Sequence, residues 1–221
     1  MIQTQLRKLT RAAYEHPSSP VLAMRQRRME EFLRRLQPKR GARILDLGGS
    51  PEIWRLTPER FEITLVNLPG GMDRLAGAQP EARGDHRIVW ADACDLRGIF
   101  EDNSFDIVFS NSVIEHVGGA ERRRDFAREV RRLAPAYWVQ TPSPRFPIEP
   151  HTGVPFYFQL PSQLRERLMK RWREALPAWA EMIEETTVLS EAEMRALFPD
   201  GEIFLERALG LEKSICSYRR A

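Results

Sequence analysis

From residue 42 onward the chain alternates short apolar runs with polar segments. ARILDLGG (42–49), EITLVNL (62–68), RIVWADA (87–93), FDIVFSN (105–111) and AYWVQTP (136–142) are rich in apolar residues and end in small or polar ones. Strands buried on both faces read this way, so the pattern predicts a parallel sheet covered by helices. Gly119–Leu133 is the clearest intervening helix, with Phe126, Val130 and Leu133 on one stripe and arginines elsewhere. Two further runs, EIFLERAL (202–209) and LEKSICSYR (211–219), are separated by Gly210 alone, which forces an antiparallel return. Residues 1–38 read as helical. Ile2, Leu6, Leu9 and Ala13 form one stripe and, after the Pro17–Pro20 break, Leu22, Met29, Leu33 and Leu36 form a second, which Pro38 stops. The fold class is α/β, a parallel sheet that ends in an antiparallel pair.

Composition narrows the class. At 221 residues, with 42% hydrophobic and 29% charged positions, the chain suits one ordinary domain and is not disordered as a whole. Its net charge is +3, and of 34 basic residues only Lys8, Lys39, Lys170 and Lys213 are lysines, which leaves 30 arginines. These are spread among 31 acids, so there is no strong nucleic-acid signal. No apolar run approaches the ~20 residues of a transmembrane helix, and MIQTQLRKLTRAAYEH has no signal-peptide stretch. A cytoplasmic protein is expected. Cys94 and Cys216 support neither a disulfide framework nor a metal site.

In open α/β sheets ligands collect at the carboxyl ends of the strands. The first such end is Asp46-Leu47-Gly48-Gly49-Ser50-Pro51, where glycines permit close backbone approach. It contains neither G-x-G-x-x-G nor a phosphate loop. An acid at Asp46 favours a cationic group nearby. The second strand ends at Asn67, where nucleoside-binding folds place a ribose-gripping side chain. The third ends at Asp92-Ala93, suited to an adenine edge, and the fourth at Ser110-Asn111, followed by Ser112-Val113-Ile114-Glu115-His116-Val117. Four such ends in register along successive strands form a coherent binding edge.

With these residues in view, the sequence resembles the class I S-adenosylmethionine-dependent methyltransferases of the small, type 11-like group, from about residue 42 to the C-terminus. The most specific block is ADACDLRGIFEDNSFDIVFSNSVIEHV (91–117), with ILDLGGS at the glycine-rich first motif and LEKSICSYR at the last strand. The resemblance implies a doubly wound seven-stranded mostly parallel sheet of order 3-2-1-4-5-7-6, strand 7 antiparallel, with a helical cap. It implies S-adenosylmethionine as cofactor: Asp46, Gly48, Gly49 and Ser50 around the methionine moiety, Asn67 and Leu68 at the ribose, Asp92 and Ala93 at the adenine, and Ser110 and Asn111 beneath the sulfonium. This sequence departs from the family pattern at Ser50, where a glycine is usual, and at Asn67, where an acid is usual.

Residues 1–40 are expected to form an N-terminal helical cap and 41–221 the methyltransferase domain, with 142–186 as a substrate-side insertion. Five prolines (142, 144, 147, 150, 155) stiffen the start of that insertion. His151 is the candidate base, Glu149 its orienting partner and His116 a second candidate, more suited to positioning than to proton transfer. Phe156, Tyr157 and Phe158 could wall the pocket. Leu160, Leu164, Leu168 and Trp172 repeat at helical spacing and could cap the site or form a homodimer interface. The expected partner is a small-molecule methyl acceptor, with oxygen the expected atom. Asn111 is followed by Ser-Val, not by the Pro-Pro-Tyr that holds a base amine. RNA or protein methylation and a non-catalytic binding module are the alternatives, the latter motivated by Ser50 and Asn67.

Overall fold

A computed structural model describes residues 19–57, 60–69, 86–147, 154, 156–157 and 160–221. In chain order the elements are α1 (Pro20–Leu36), β1 (Arg43–Leu47), α2 (Pro51–Trp54), β2 (Glu62–Asn67), β3 (Arg87–Trp90), β4 (Ile107–Asn111), a 3-10 turn (Ile114–His116), α3 (Ala120–Leu133), β5 (Ala136–Pro142), α4 (Ser162–Ala175), α5 (Pro177–Glu185), α6 (Glu191–Leu197), β6 (Glu202–Ala208) and β7 (Leu211–Arg219). The strands form one sheet of order β3-β2-β1-β4-β5-β7-β6. β7 runs antiparallel to both β5 and β6, and the remaining pairs are parallel. The expected topology is therefore present. β5 and β7 coincide with their expected runs, and the other five runs are trimmed by one to three residues.

Strand parity divides the core in two. Ile44, Ile63, Leu65, Phe109 and Trp138 face α1, whereas Leu45, Leu47, Val108, Tyr137 and Val139 face α3 and α6. Phe32 of α1 seats edge-on against Trp54, Phe109 and Trp138, with centroids 6.1, 5.2 and 6.0 Å away. Met29, Phe32 and Leu36 are buried there, so residues 20–36 are a layer of the domain core and do not lie as a cap over the strand ends. The reason is local. α2 has only four residues, which leaves that face of the sheet for α1 to cover. α1 ends where Gln37 takes a left-handed φ of 48°, just before Pro38. Residues 1–18, the first part of the expected cap, lie outside the described residues.

α4 and α5 pair around a small core of their own: Tyr157, Met169, Ala180 and Ile183, with Trp172 and Trp179 against them. Tyr157 stacks on Trp172 at 5.7 Å, so it belongs to this core and is not part of an aromatic wall of the pocket. Phe156 is exposed, and Phe158 lies outside the described residues. α6 adds to the expected elements: Ser190 and Glu193 form a reciprocal capping box at its start and Met194 is buried in the main core.

Candidate active site

The carboxyl ends of β1, β2, β3 and β4 lie side by side at one edge of the sheet. At the centre is the turn after β1. Gly48 has φ +71°, and any side chain there would overlap Val113, while a side chain on Gly49 would overlap the carboxylate of Asp46. Both glycines are thus required by space, and Gly48 by conformation as well. Asp46 itself is 0% exposed. Its Oδ2 accepts from Trp54 Nε1 at 2.9 Å, and its Oδ1 is buried with no partner. Burial pushes this carboxyl up to about 7, against the opposing pull of the Trp54 hydrogen bond. Asp46 therefore lies beneath the turn, and the groups the turn offers a ligand are the backbone of Gly48, Gly49 and Ser50.

At the end of β2, Asn67 is buried and its Nδ2 donates to the Gly49 carbonyl at 3.0 Å. The asparagine bolts the glycine turn to β2, leaving its Oδ1 as an acceptor. A carboxylate there could not make this bond, which gives the departure at Asn67 a structural reason. Leu68, beside it, is 58% exposed. At the end of β3, the Asp92 carboxylate takes Arg122 Nη2 at 2.6 and 2.8 Å and the Cys94 amide at 2.9 Å. Asp92 and Ala93 are both half-buried, as an adenine edge requires. Arg122 comes from α3, and a basic residue on an arginine-rich helix gives no signal of its own in the sequence. The Cys94 thiol is pushed up to about 12, mainly by burial, and is inert.

At the end of β4, adjacent residues point to opposite faces. Ser110 is fully buried and donates to the Leu47 carbonyl at 3.1 Å, so it stitches β4 to β1 and does not line the site. Asn111 points to the α1 side, and its Oδ1 accepts from Arg28 Nη1 at 2.7 Å. Glu115 is buried and accepts from Thr141 Oγ1 at 3.0 Å, while its backbone carbonyl receives the Thr187 amide. His116 is exposed, with Nδ1 3.1 Å from Thr186 Oγ1. The pair anchors the segment after α5 to the 3-10 turn, a positioning role. Glu149 and His151 lie outside the described residues.

The donor set suits S-adenosylmethionine. An uncompensated buried acid lies under a glycine turn that lets backbone approach closely, with an amide acceptor at β2 and a half-buried acid at β3. The comparisons agree. Residues 45–135 match the family model described as a methyltransferase domain. Two uncharacterized proteins of Mycobacterium tuberculosis are 28% identical over 123 residues, 53% of this chain but 42% of theirs. The match thus spans less than half the length of these curated relatives. Among solved structures, an S-adenosylmethionine-dependent methyltransferase from Aquifex aeolicus superposes with a TM-score of 0.53 at 16% identity, covering 97% of this chain and 96% of its own. A protein from Pyrococcus horikoshii gives 0.58 at 21% identity, covering 94% of each chain. Residues 45–135 are thus similar to a methyltransferase domain, and the chain as a whole shares the fold of the Aquifex aeolicus methyltransferase.

Proposed function

We propose that this protein transfers a methyl group from S-adenosylmethionine to an oxygen of a small-molecule acceptor by in-line displacement. The observation that carries the reading is the glycine turn seated over the buried Asp46 carboxylate, at the centre of the sheet's carboxyl edge. When bound, the cofactor supplies an electrophilic methyl on a cationic sulfur. The chain's tasks are then alignment and exclusion of water. Gly48, Gly49 and Ser50 hold the methionine end through backbone groups. Asn67 Oδ1 and the backbone at Leu68 serve the ribose, and Asp92 with Ala93 the adenine. Asp46, ionised on binding, stabilises the cationic end from below. Glu149 and His151 stand as proposals for the acceptor side.

Calorimetric titration with S-adenosylmethionine and S-adenosylhomocysteine tests this reading. Micromolar binding, abolished by Gly49→Ala and weakened by Asp92→Ala, is the expected result. The competing reading, a non-catalytic binding module, draws support from the Arg122 pair that occupies Asp92 and from the spent donor of Asn67. Absence of binding by either ligand would favour it.

A further inference from the structure

Beyond the cofactor edge, α1, β6 and β7 bring together a cluster of buried and half-buried charges. Arg28 is 7% exposed; its Nε and Nη2 donate to Glu206 Oε2 at 3.1 and 2.6 Å, while its Nη1 holds Asn111. Lys213 Nζ lies 3.6 Å from the other Glu206 oxygen, and Ser214 Oγ also donates to this carboxylate. Nearby, Glu212 is already engaged by Ser143 and Arg145. Two cations therefore share one carboxylate in a mostly desolvated place. Burial, and next to it the Arg28 charge, depress the Lys213 ammonium, while Glu206 stays ionised. An incompletely balanced buried charge is costly unless an anion completes it.

The hydrogen-bond chemistry points the same way. A guanidinium has donors and no acceptor, so Arg28 must take the oxygen of the Asn111 amide. The Nδ2 of Asn111 is then left as a donor, and among the described residues it has no partner. An amine acceptor approaching β4 would need an oxygen there; an anionic oxygen needs this donor.

We infer that Asn111, Lys213 and the positioning residue Arg28 form a carboxylate-binding wall, and that the methyl acceptor is a carboxylic acid held there as its anion. This rests on the methyl-transfer reading above. The acceptor oxygen forms the O–CH3 bond as the C–S bond breaks, the electron pair stays on sulfur, and no proton moves. A base is therefore unnecessary. The cofactor has a carboxylate too, but β7 lies three strand spacings from β1, roughly 14 Å, too far across the edge for a group seated on the glycine turn.

The test uses acetate and its neutral isostere acetamide as probes, titrated by NMR into the free and the S-adenosylhomocysteine-loaded protein. Saturable acetate binding to the loaded protein, absent for acetamide and weakened about tenfold or more by Lys213→Met, is expected. Arg28→Lys keeps the charge but cannot hold Asn111 and Glu206 together, so it should erode the acetate-over-acetamide preference while S-adenosylhomocysteine affinity holds. If Lys213→Met misfolds by circular dichroism, Lys213→Gln replaces it. Indistinguishable acetate and acetamide binding overturns the inference. Acetate displaced by S-adenosylhomocysteine overturns it as well, because the charge then serves the cofactor. A protein that fails to bind S-adenosylhomocysteine defeats the methyl-transfer reading separately, and acetate titration of the free protein still decides whether the carboxylate wall exists.

Discussion

The two halves of the sheet's carboxyl edge are built from different materials. Around β1, β2 and β3 the edge is made of glycines, backbone and short polar side chains, bolted together by Asn67 and Arg122. Around β4, β7 and β6 it is made of long charged side chains, the buried Arg28 and the half-buried Lys213 and Glu206, contributed by elements far apart in the chain. The first half lies largely within the matched segment 45–135; most of the second lies outside it. A backbone-built surface suits one shared ligand, because it has few side chains to vary. A surface built of side chains suits a ligand that differs from protein to protein.

The largest expected effect on binding breaks the first half. Gly49→Ala must displace the Asp46 carboxylate or the turn itself, and cofactor affinity should fall by more than about 100-fold by calorimetry, equivalent to roughly 3 kcal/mol. Phe32→Ala should break the support common to both halves, costing about 3–5 kcal/mol in denaturant unfolding, because Phe32 is fully buried among Trp54, Phe109 and Trp138.

Asp46 gives a pH signature confined to the first half. Its folded value, about 7, lies above the ordinary 3.8, so the folded state favours the neutral acid. Stability from this group is fully present below about pH 4 and is lost as pH rises through about 7, an effect on the order of 4 kcal/mol. Asp46→Asn should remove that loss, so the melting-temperature difference, variant minus wild type, grows between pH 5 and 8. A flat difference would mean that Asp46 does not carry the burial penalty. The smallest effect sharpens the first half. Arg122→Gln should weaken cofactor binding only a few-fold, through a looser Asp92, and cost less than about 1 kcal/mol of stability, since this ion pair is substantially exposed.

Legibility followed the range of the interaction. The seven strands could be read because each carries its own apolar run, whereas their order came from the family resemblance alone; the glycine turn could be read because steric demands act within a few residues. Parity along β4 is equally local: consecutive Ser110 and Asn111 point to opposite faces and cannot both face one ligand. The Ser190–Glu193 capping box was likewise present in the sequence and unread. Arg28 was not legible by any local rule. On an amphipathic helix rich in arginine it reads as a solvated residue, and its burial is decided by Glu206 and Asn111, which only the fold brings to it. The same holds for Tyr157, whose neighbours Phe156 and Phe158 suggested a wall, while Trp172 fixes it in a separate core.

The division of the edge is tested most directly by hydrogen exchange with and without S-adenosylhomocysteine. The account predicts slowed exchange of amides at Gly48–Ser50, Leu68 and Asp92–Cys94, with the amides of Glu206 and Lys213–Ser214 unchanged. Protection centred on β6 and β7, with the glycine turn unaffected, would contradict it.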